Sequence, residues 1–325
     1  MILGCPFAGS LISKGEKMKF LNKFGLFLLL VLLVFIMSFL SPRFFTFSNI
    51  INILRQSSIN GIIACGMTLV ILTSGIDLSV GAVLAFSTII SALALKSGIP
   101  AIISIFIALI IGGFLGTANG LIISYLRVPA FIVTLGMMGI ARGLSLIISK
   151  GAPITGFEKA FRLPGIGTIW GIPFPVIIGG VVFFVTWFLV ENTVFGLWIR
   201  SIGSNRVASR FSGVPFKKIE VFVYTLAGIF SAISGIILIG RLNSAQPTAG
   251  MGYEFSAIAA VVLGGTRFTG GEGKVVGTLI GVLILGVIDN SINILNISPF
   301  YEQIIKGSII ALALLVYNRT QTQKE

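Results

Sequence analysis

The sequence predicts an all-α integral membrane protein of about ten transmembrane helices, and three observations lead to this fold class. Hydrophobic residues make up 55% of the 325 residues and charged residues only 10%, with a mean hydropathy of +1.06. Soluble globular domains carry about 25% charged residues. Ten apolar runs follow one another along the chain, and glycines recur at helical spacing within two of them. The lipid bilayer is therefore the expected environment of this chain.

The ten apolar runs set the order of the predicted helices. A membrane helix needs roughly 20 apolar residues, and the eighth run is only about half that long. A run of that length favours a broken or re-entrant helix. The runs cover residues 24–40, 59–73, 79–96, 100–124, 129–149, 174–190, 219–240, 255–265, 275–295 and 300–318.

The recurring glycines predict close contacts between helices. Gly112, Gly116 and Gly120 stand four residues apart in the fourth run, and Gly277 and Gly281 open the ninth run with the same spacing. Small residues at this spacing let helix backbones approach closely in lipid. The two groups lie about half the chain apart, which weakly favours an internal duplication.

The net charge of +13 predicts an orientation rather than nucleic-acid binding, because lysine and arginine lie between the apolar runs and not along one face. With a cytoplasmic N-terminus, the inner loops hold about twice as many of them as the outer loops. We expect cytoplasmic tails at 1–23 and 319–325, a membrane domain at 24–318 and, within it, a cytoplasmic loop at 191–218. Met18 followed by basic residues resembles a natural start, so the residues before it are expected to be dispensable.

Several kinds of chemistry are not expected. Histidine is absent, and Cys5 and Cys65 lie too far apart for a zinc site or haem attachment. We therefore expect no metal and no cofactor. The stretch GGTRFTGGEGKVVG resembles a nucleotide phosphate loop, but Phe268 and Val275 stand where the G-x-x-x-x-G-K-[ST] pattern needs glycine and a hydroxyl residue. It is interpreted as a tight turn between two apolar segments, and this chain is not expected to bind ATP.

The longest polar loop, ENTVFGLWIRSIGSNRVASRFSGVPFKK, predicts a short helix beneath the membrane. Ser204 or Asn205 can cap a helix over residues 206–211, which Gly213 and Pro215 then stop.

This short helix has a distinctive predicted surface. Ala208 and Phe211 are three residues apart, and Arg206 and Arg210 are four apart, which gives a small apolar knob flanked by two guanidinium groups. From composition alone the loop could touch anionic lipid. Composition favours this lipid contact, and docking on a partner protein is the alternative.

Two acidic residues lie at predicted helix starts. Asp77 is predicted to cap a helix that begins at Leu78, although a carboxylate within a membrane could also bind a coupling ion. Glu254 begins the half-length eighth run, where it would stabilise the helix dipole. It follows the segment SAQPTAGMG, where an incoming ligand would first arrive.

Two helix faces are polar and form a possible translocation path. Arg142, Ser145 and Ser149 form one of them. Polar groups that face lipid cost several kcal/mol, so such faces are expected to contact protein or a water-filled path. A path and a helix-packing network remain equally open, as does a pairing of Asp289 with Arg142 or Lys306. The second face consists of Asp289, Asn290, Asn293 and Asn296.

The chain resembles the ribose-type monosaccharide permease subunits of bacterial ATP-binding-cassette importers. The resemblance runs from about Ser41 to Asn318 and rests on GMTLVILTSGIDLSVG, SAQPTAGMGYE, IAAVVLGGT and the pattern G-x-N-x-x-A-x-x-x-S-G. The residues that match the last pattern are Gly203, Asn205, Ala208, Ser212 and Gly213.

The resemblance implies a function and a set of partners. The polar loop is expected to be a coupling helix seated in a groove of a separate ATPase. A second copy of the permease, a pair of ATPase subunits and an extracytoplasmic sugar-binding protein would complete an importer of a monosaccharide, most closely ribose, in the bacterial inner membrane. The chain itself would not be an enzyme. The competing hypothesis is an ion-coupled carrier of a small polar solute that uses Asp77, Glu254 or Asp289.

Overall fold

The structure is a computed structural model that describes residues 25–298, 300–301 and 303–311. The expected tails at 1–23 and 319–325, and the end of the tenth apolar run, lie outside these residues. The helices are α1 (Gly25–Leu40), α2 (Phe47–Leu72), α3 (Val80–Lys96), α4 (Ala101–Leu126), α5 (Ala130–Ser149), α6 (Lys159–Ile166), α7 (Phe174–Asn192), α8 (Val194–Ser204), α9 (Arg206–Phe211), α10 (Phe216–Leu242), α11 (Tyr253–Leu263), α12 (Val275–Ile294) and α13 (300–301 and 303–311). The strands are β1 (Ile154–Thr155), β2 (Thr168–Ile169), β3 (Ile172–Pro173) and β4 (Ser244–Ala245).

The prediction of a helical membrane protein is confirmed. Within the described residues, five helices are long and apolar enough to cross a bilayer, namely α4, α5, α7, α10 and α12. The half-length eighth run is also confirmed as a short helix, because α11 spans only Tyr253–Leu263. In the part of the chain that the structure describes, the strands form two antiparallel pairs, β1 with β4 and β2 with β3.

Helix α10 forms the centre of the fold and packs against α2, α3 and α4. Its closest neighbour is α4, and glycine makes that approach possible. A Cβ added at Gly112 would lie 2.4 Å from the carbonyl oxygen of Gly228, and one added at Gly116 would lie 2.2 Å from that of Tyr224. At Gly120 it would lie 2.6 Å from the Cα of Val221. The predicted close packing through these glycines is confirmed.

The second glycine group brings α12 against the short helix α11. A Cβ on Gly277 would lie 2.0 Å from the carbonyl oxygen of Gly264, and one on Gly281 would lie 2.1 Å from that of Ala260. This contact is confirmed as well. The two glycine groups face different kinds of partner, a full-length helix for α4 and a half-length helix for α12, and the internal duplication stays a prediction.

The predicted second helix starts too late in the sequence. Helix α2 begins at Phe47, not at residue 59, and the Thr46 hydroxyl caps it by accepting a hydrogen bond from the Asn49 amide at 3.4 Å. Polar residues interrupt the first half of α2, so hydropathy alone hides it. The Asn49 side chain makes two reciprocal hydrogen bonds, of 3.0 and 2.8 Å, with Asn290 on α12. The polar Asn49 side chain in this part of α2 is therefore hydrogen-bonded to a neighbouring helix.

The segment between α5 and α7 folds onto the end of α10. The side chain of Phe161 on α6 is completely buried, and the Arg162 guanidinium donates to the Gly240 carbonyl at 3.2 Å. Pro164 lies inside this short helix, and β1 pairs with β4 just beyond α10. The apolar runs gave no signal for α6, because its sequence is short and mixed.

Candidate functional site

The polar loop contains more helix than the sequence predicts. Helix α8 occupies Val194–Ser204, so the expected loop is largely helical. The short helix α9 is confirmed at Arg206–Phe211, and the Asn205 side chain caps it by accepting from the Ala208 amide at 2.9 Å. Gly213 ends it with a φ of +78°, in the left-handed region that favours glycine.

One face of α9 projects away from the protein. We call Val207, Ala208 and Phe211 the α9 knob: all three are exposed, Val207 by 66% and Phe211 by 87%. The opposite face is fixed, because the buried Ser209 hydroxyl lies 2.6 Å from that of Ser201 and donates to the Asn205 carbonyl at 2.8 Å. The knob is therefore an apolar surface on a rigid base.

The two arginines of α9 differ, although the sequence places both beside the knob. Arg206 points back to the start of α10, where its guanidinium lies 2.7 Å from the Glu220 carboxylate and 5.3 Å from the centre of the Phe216 ring. Ser124 on α4 donates to the same carboxylate at 2.9 Å. Arg210 is exposed. Only Arg210 therefore has the flanking position that the sequence predicts.

Glu220 is not among the predicted site residues, although the sequence carries a signal for it. It is the only acidic residue between Glu191 and Glu254, a stretch that holds several basic residues. Only 4% of Glu220 is exposed, so its carboxylate needs charged or hydrogen-bonding partners. Arg206 and Ser124 supply them, and Glu220 thereby joins α9 to the α4–α10 pair.

The glycine-rich turn packs against the end of α8, directly before α9. A Cβ on Gly203 would lie 2.0 Å from the Leu72 carbonyl oxygen and 2.4 Å from the Gly271 amide nitrogen. The Gly271 amide donates to the Leu72 carbonyl at 3.0 Å, and the Ser74 hydroxyl donates to the carbonyls of Gly203 and Thr269. The ends of α2 and α8 thus meet the glycine-rich turn, and we call this contact the glycine junction.

The turn also closes on itself. The Arg267 amide donates to the Glu272 carbonyl at 2.8 Å, and the two side chains form an ion pair of 2.7 Å. Gly270 and Gly271 have φ values of +85° and +76°. The interpretation as a tight turn between apolar segments is confirmed, and its glycines serve the curvature and the close contacts of the glycine junction.

Asp77 lies in the non-helical link between α2 and α3, only 2% exposed. The predicted helix start at Leu78 is wrong by two positions, because α3 begins at Val80 with Ser79 as its N-cap. Asp77 accepts from the Ser79 amide at 2.8 Å and from its hydroxyl at 2.6 Å, and Asn119 donates to that hydroxyl at 3.0 Å. The carboxylate thus orders the entry into α3 from just before the cap.

Arg142 and Glu254 meet around the segment that precedes α11. The Arg142 guanidinium donates to the carbonyls of Pro247 at 2.6 Å and Ala249 at 2.8 Å. Glu254 accepts from the Gly252 amide at 3.2 Å. A Cβ on Gly81, at the start of α3, would lie 2.1 Å from the Gly250 carbonyl oxygen. Two helix starts, those of α3 and α11, therefore meet at this point.

The polar face of α12 has different partners. Asp289 lies 3.3 Å from the Lys306 amine of α13, which is one of the two pairings left open by the sequence. Asn290 binds Asn49 of α2, and the Asn293 side-chain NH2 donates to the Asp289 backbone carbonyl at 2.8 Å. Asn296 lies beyond the helix with a φ of +53°. These contacts are made with neighbouring helices and within α12.

Comparison with known proteins identifies the family. Residues 49–314 match the family described as the branched-chain amino acid transport system permease component. The chain belongs to this permease family. It is the membrane subunit of a transport system, and its family implies a separate ATPase and a substrate-binding partner. The competing hypothesis of an ion-coupled carrier is not favoured.

Curated relatives cover most of this permease. The ribose import permease protein RbsC of Escherichia coli K12 is 48% identical over 90% of this chain and 92% of its own length. The ribose import permease of Bacillus subtilis is 48% identical over 91% and 92%. The D-allose transport system permease protein AlsC of Escherichia coli is 37% identical over 91% of both chains.

A solved structure has a similar fold. It is an inward-facing conformation of a metal-chelate type ABC transporter, with a TM-score of 0.51 over 90% of this chain and 97% of that chain. The sequences are 18% identical, so the likeness concerns the fold alone.

Proposed function

We propose that this permease imports ribose, using energy from a separate ATP-binding-cassette ATPase. The observation that carries the proposal is the order of the identities. Ribose import permeases from three bacteria are 45–48% identical to this chain, whereas the D-allose and L-arabinose permeases are 37% and 33% identical. An extracytoplasmic ribose-binding protein would deliver the sugar, and two copies of the permease would form the pore in the bacterial inner membrane.

The proposed topology has about ten spans with both termini in the cytoplasm. The distribution of lysine and arginine supports this orientation. It places α8, α9 and the glycine junction on the cytoplasmic side and α6 outside. Single cysteines at Ser204 and at Ala160, in a chain lacking Cys5 and Cys65, test it, since both positions are exposed. An impermeant thiol reagent should label position 160 in intact cells and leave position 204 unlabelled; the opposite pattern would invert the topology.

The α9 knob is the proposed contact with the ATPase. An exposed Phe211 beside Val207 and Ala208, on a helix fixed by Ser209, suits insertion into a protein groove. Interaction with anionic lipid would rest on outward basic side chains, and of the two α9 arginines only Arg210 is available, because Arg206 is bound to Glu220. The wider coupling surface also takes in Arg210, Ser212 and Gly213.

Of the polar groups in the membrane domain, Arg142 and Glu254 are proposed to border the translocation path. They hold the segment 247–252, where the starts of α3 and α11 meet, and non-helical backbone occurs within membranes only where protein or water satisfies it. Asp289, Asn290 and Asn293 are proposed to stabilise helix packing, because each has a protein partner.

Reconstitution tests the proposal. The chain is placed in proteoliposomes with its ATPase and its extracytoplasmic binding protein, and uptake of labelled ribose is measured with and without ATP. We expect uptake that requires ATP and survives ionophores that collapse ion gradients. Uptake without the ATPase but with an ion gradient would overturn the importer mechanism. Uptake of D-allose in preference to ribose would overturn the choice of sugar alone.

A further inference from the structure

The hairpin before α7 carries an unusually exposed tryptophan. Strands β2 and β3 pair Thr168 with Pro173 and Ile169 with Ile172, which leaves Trp170 and Gly171 as a two-residue turn. Trp170 is 98% exposed, and its two apolar strand neighbours, Ile169 and Ile172, are 45% and 49% exposed. The tip of this hairpin is therefore an apolar surface that nothing within the described chain covers.

The turn itself does not explain the tryptophan. Trp170 and Gly171 have φ values of +50° and +80°, the combination found in type I′ hairpin turns. Asparagine or aspartate followed by glycine is preferred there, and a bulky residue with positive φ is strained. The backbone would be more stable with asparagine at this position, so the indole must make its contribution outside the hairpin.

The sequence around the turn favours lipid over water or a polar protein surface. No charged residue occurs from Leu163 to Val190, a stretch that includes the hairpin and nearly all of α7. Tryptophan has an apolar ring and one N–H donor, and it concentrates where membrane helices meet the headgroups. Trp170 lies four residues before the start of α7 at Phe174. An interfacial tryptophan is expected at such a helix end.

Helix α7 supplies the second argument for lipid. Only 22% of its most apolar window is buried inside the chain, less than for any other candidate span in the described residues. The hairpin is fixed to the end of this helix, because the Phe174 amide donates to the Gly167 carbonyl at 2.9 Å. A rigid hairpin at the end of the least buried of these five spans is placed to enter the bilayer boundary.

We propose that the Trp170 hairpin is an interfacial anchor, with the indole inserted at the boundary between lipid headgroups and acyl chains. It would fix the depth of α7 in the bilayer at its N-terminal end. This inference does not depend on which sugar is transported.

Fluorescence quenching tests the anchor. A variant with Trp187→Phe and Trp198→Phe retains Trp170 as its single tryptophan and is reconstituted into vesicles of phosphatidylcholine. The lipids carry bromine either near the headgroup or near the end of the acyl chain. We expect the shallow bromines to remove most of the Trp170 emission and the deep bromines much less, while aqueous iodide has little effect.

A matched variant separates anchoring from folding. Trp170→Asn keeps the turn, because asparagine suits its backbone, and removes the indole. In the chain that retains Trp187 and Trp198, this substitution should lower the shallow-bromine quenching by the share that Trp170 contributes, and the remaining emission of Trp187 and Trp198 should be that of a folded protein. Strong quenching of Trp170 by iodide with none by brominated lipid would overturn the anchor. An emission shift caused by the binding protein, without lipid quenching, would also overturn it and assign the hairpin to protein docking.

Discussion

Removing the Arg206 guanidinium should destabilise the protein and weaken the attachment of α9, which carries the α9 knob, to α10. Glu220 is only 4% exposed and would keep a single hydrogen-bond donor, Ser124, at 2.9 Å. Removing one partner of a fully buried ion pair costs about 3–5 kcal/mol, whereas an exposed pair is worth about 0–1 kcal/mol. The Arg206 side chain is 46% exposed, so we expect Arg206→Gln to cost about 1–2 kcal/mol, between these limits.

Arg210→Gln is the matched control, because it changes the same residue type on the same helix at an exposed position. Its effect on the free energy of unfolding should stay within about 0.5 kcal/mol. Reversible unfolding in mixed detergent micelles, measured for Arg206→Gln, Glu220→Gln and the double variant, gives the coupling energy. Equal effects of Arg206→Gln and Arg210→Gln, or additive effects of the two substitutions in the pair, would refute the assigned role of Glu220.

Three further predictions concern the knob, the helix packing and the glycine-rich turn. Ala208→Trp should abolish co-purification of the ATPase without loss of folding. Ala160→Trp on α6 is the control and should have no effect. Normal ATPase binding by the Ala208→Trp variant would contradict docking through the knob. Gly116→Ala should lower the free energy of unfolding by about 1–3 kcal/mol, because the added methyl meets a backbone oxygen of α10. Gly139→Ala, whose methyl enters open space, should be neutral or stabilising in the same unfolding assay. The purified chain should show no nucleotide binding at about micromolar concentration in a filter assay. Phosphate loops need free backbone amides, and those of Gly270 and Gly271 already donate to the Arg267 and Leu72 carbonyls. Nucleotide binding that disappears with Lys274→Ala would contradict this prediction.

The sequence predicts those parts of the fold that depend on local properties. Long apolar runs place most helices within a few residues, because both hydropathy and helix length follow from the bilayer thickness. The short α11, the cap at Asn205 and the end of α9 at Gly213 are also local, and each is confirmed. Close packing at Gly112 and Gly277 follows from residue size alone.

The remaining features depend on contacts between distant residues. The first half of α2 is too polar for a hydropathy run, and its Asn49 is satisfied by Asn290, 241 residues away. Arg206 likewise looks like a lipid contact until Glu220 is placed beside it. No local pattern predicts such pairings. For this reason the sequence does not decide whether the polar face of α12 lines a translocation path or packs against other helices.

The contacts beneath α9 limit how the proposed docking surface can move. Arg206 fixes it to Glu220 on α10, and Gly203, at the end of α8 just before α9, packs against the Leu72 and Gly271 backbone. Close packing transmits strain, so we expect a displacement of α9 by an ATPase also to displace α10 or the end of α2. The end of α2 continues directly into the link that carries Asp77 and orders the start of α3. If the proposed ATPase groove binds the knob, its movement would reach the starts of α3 and α11 near Glu254 through covalently continuous and closely packed backbone.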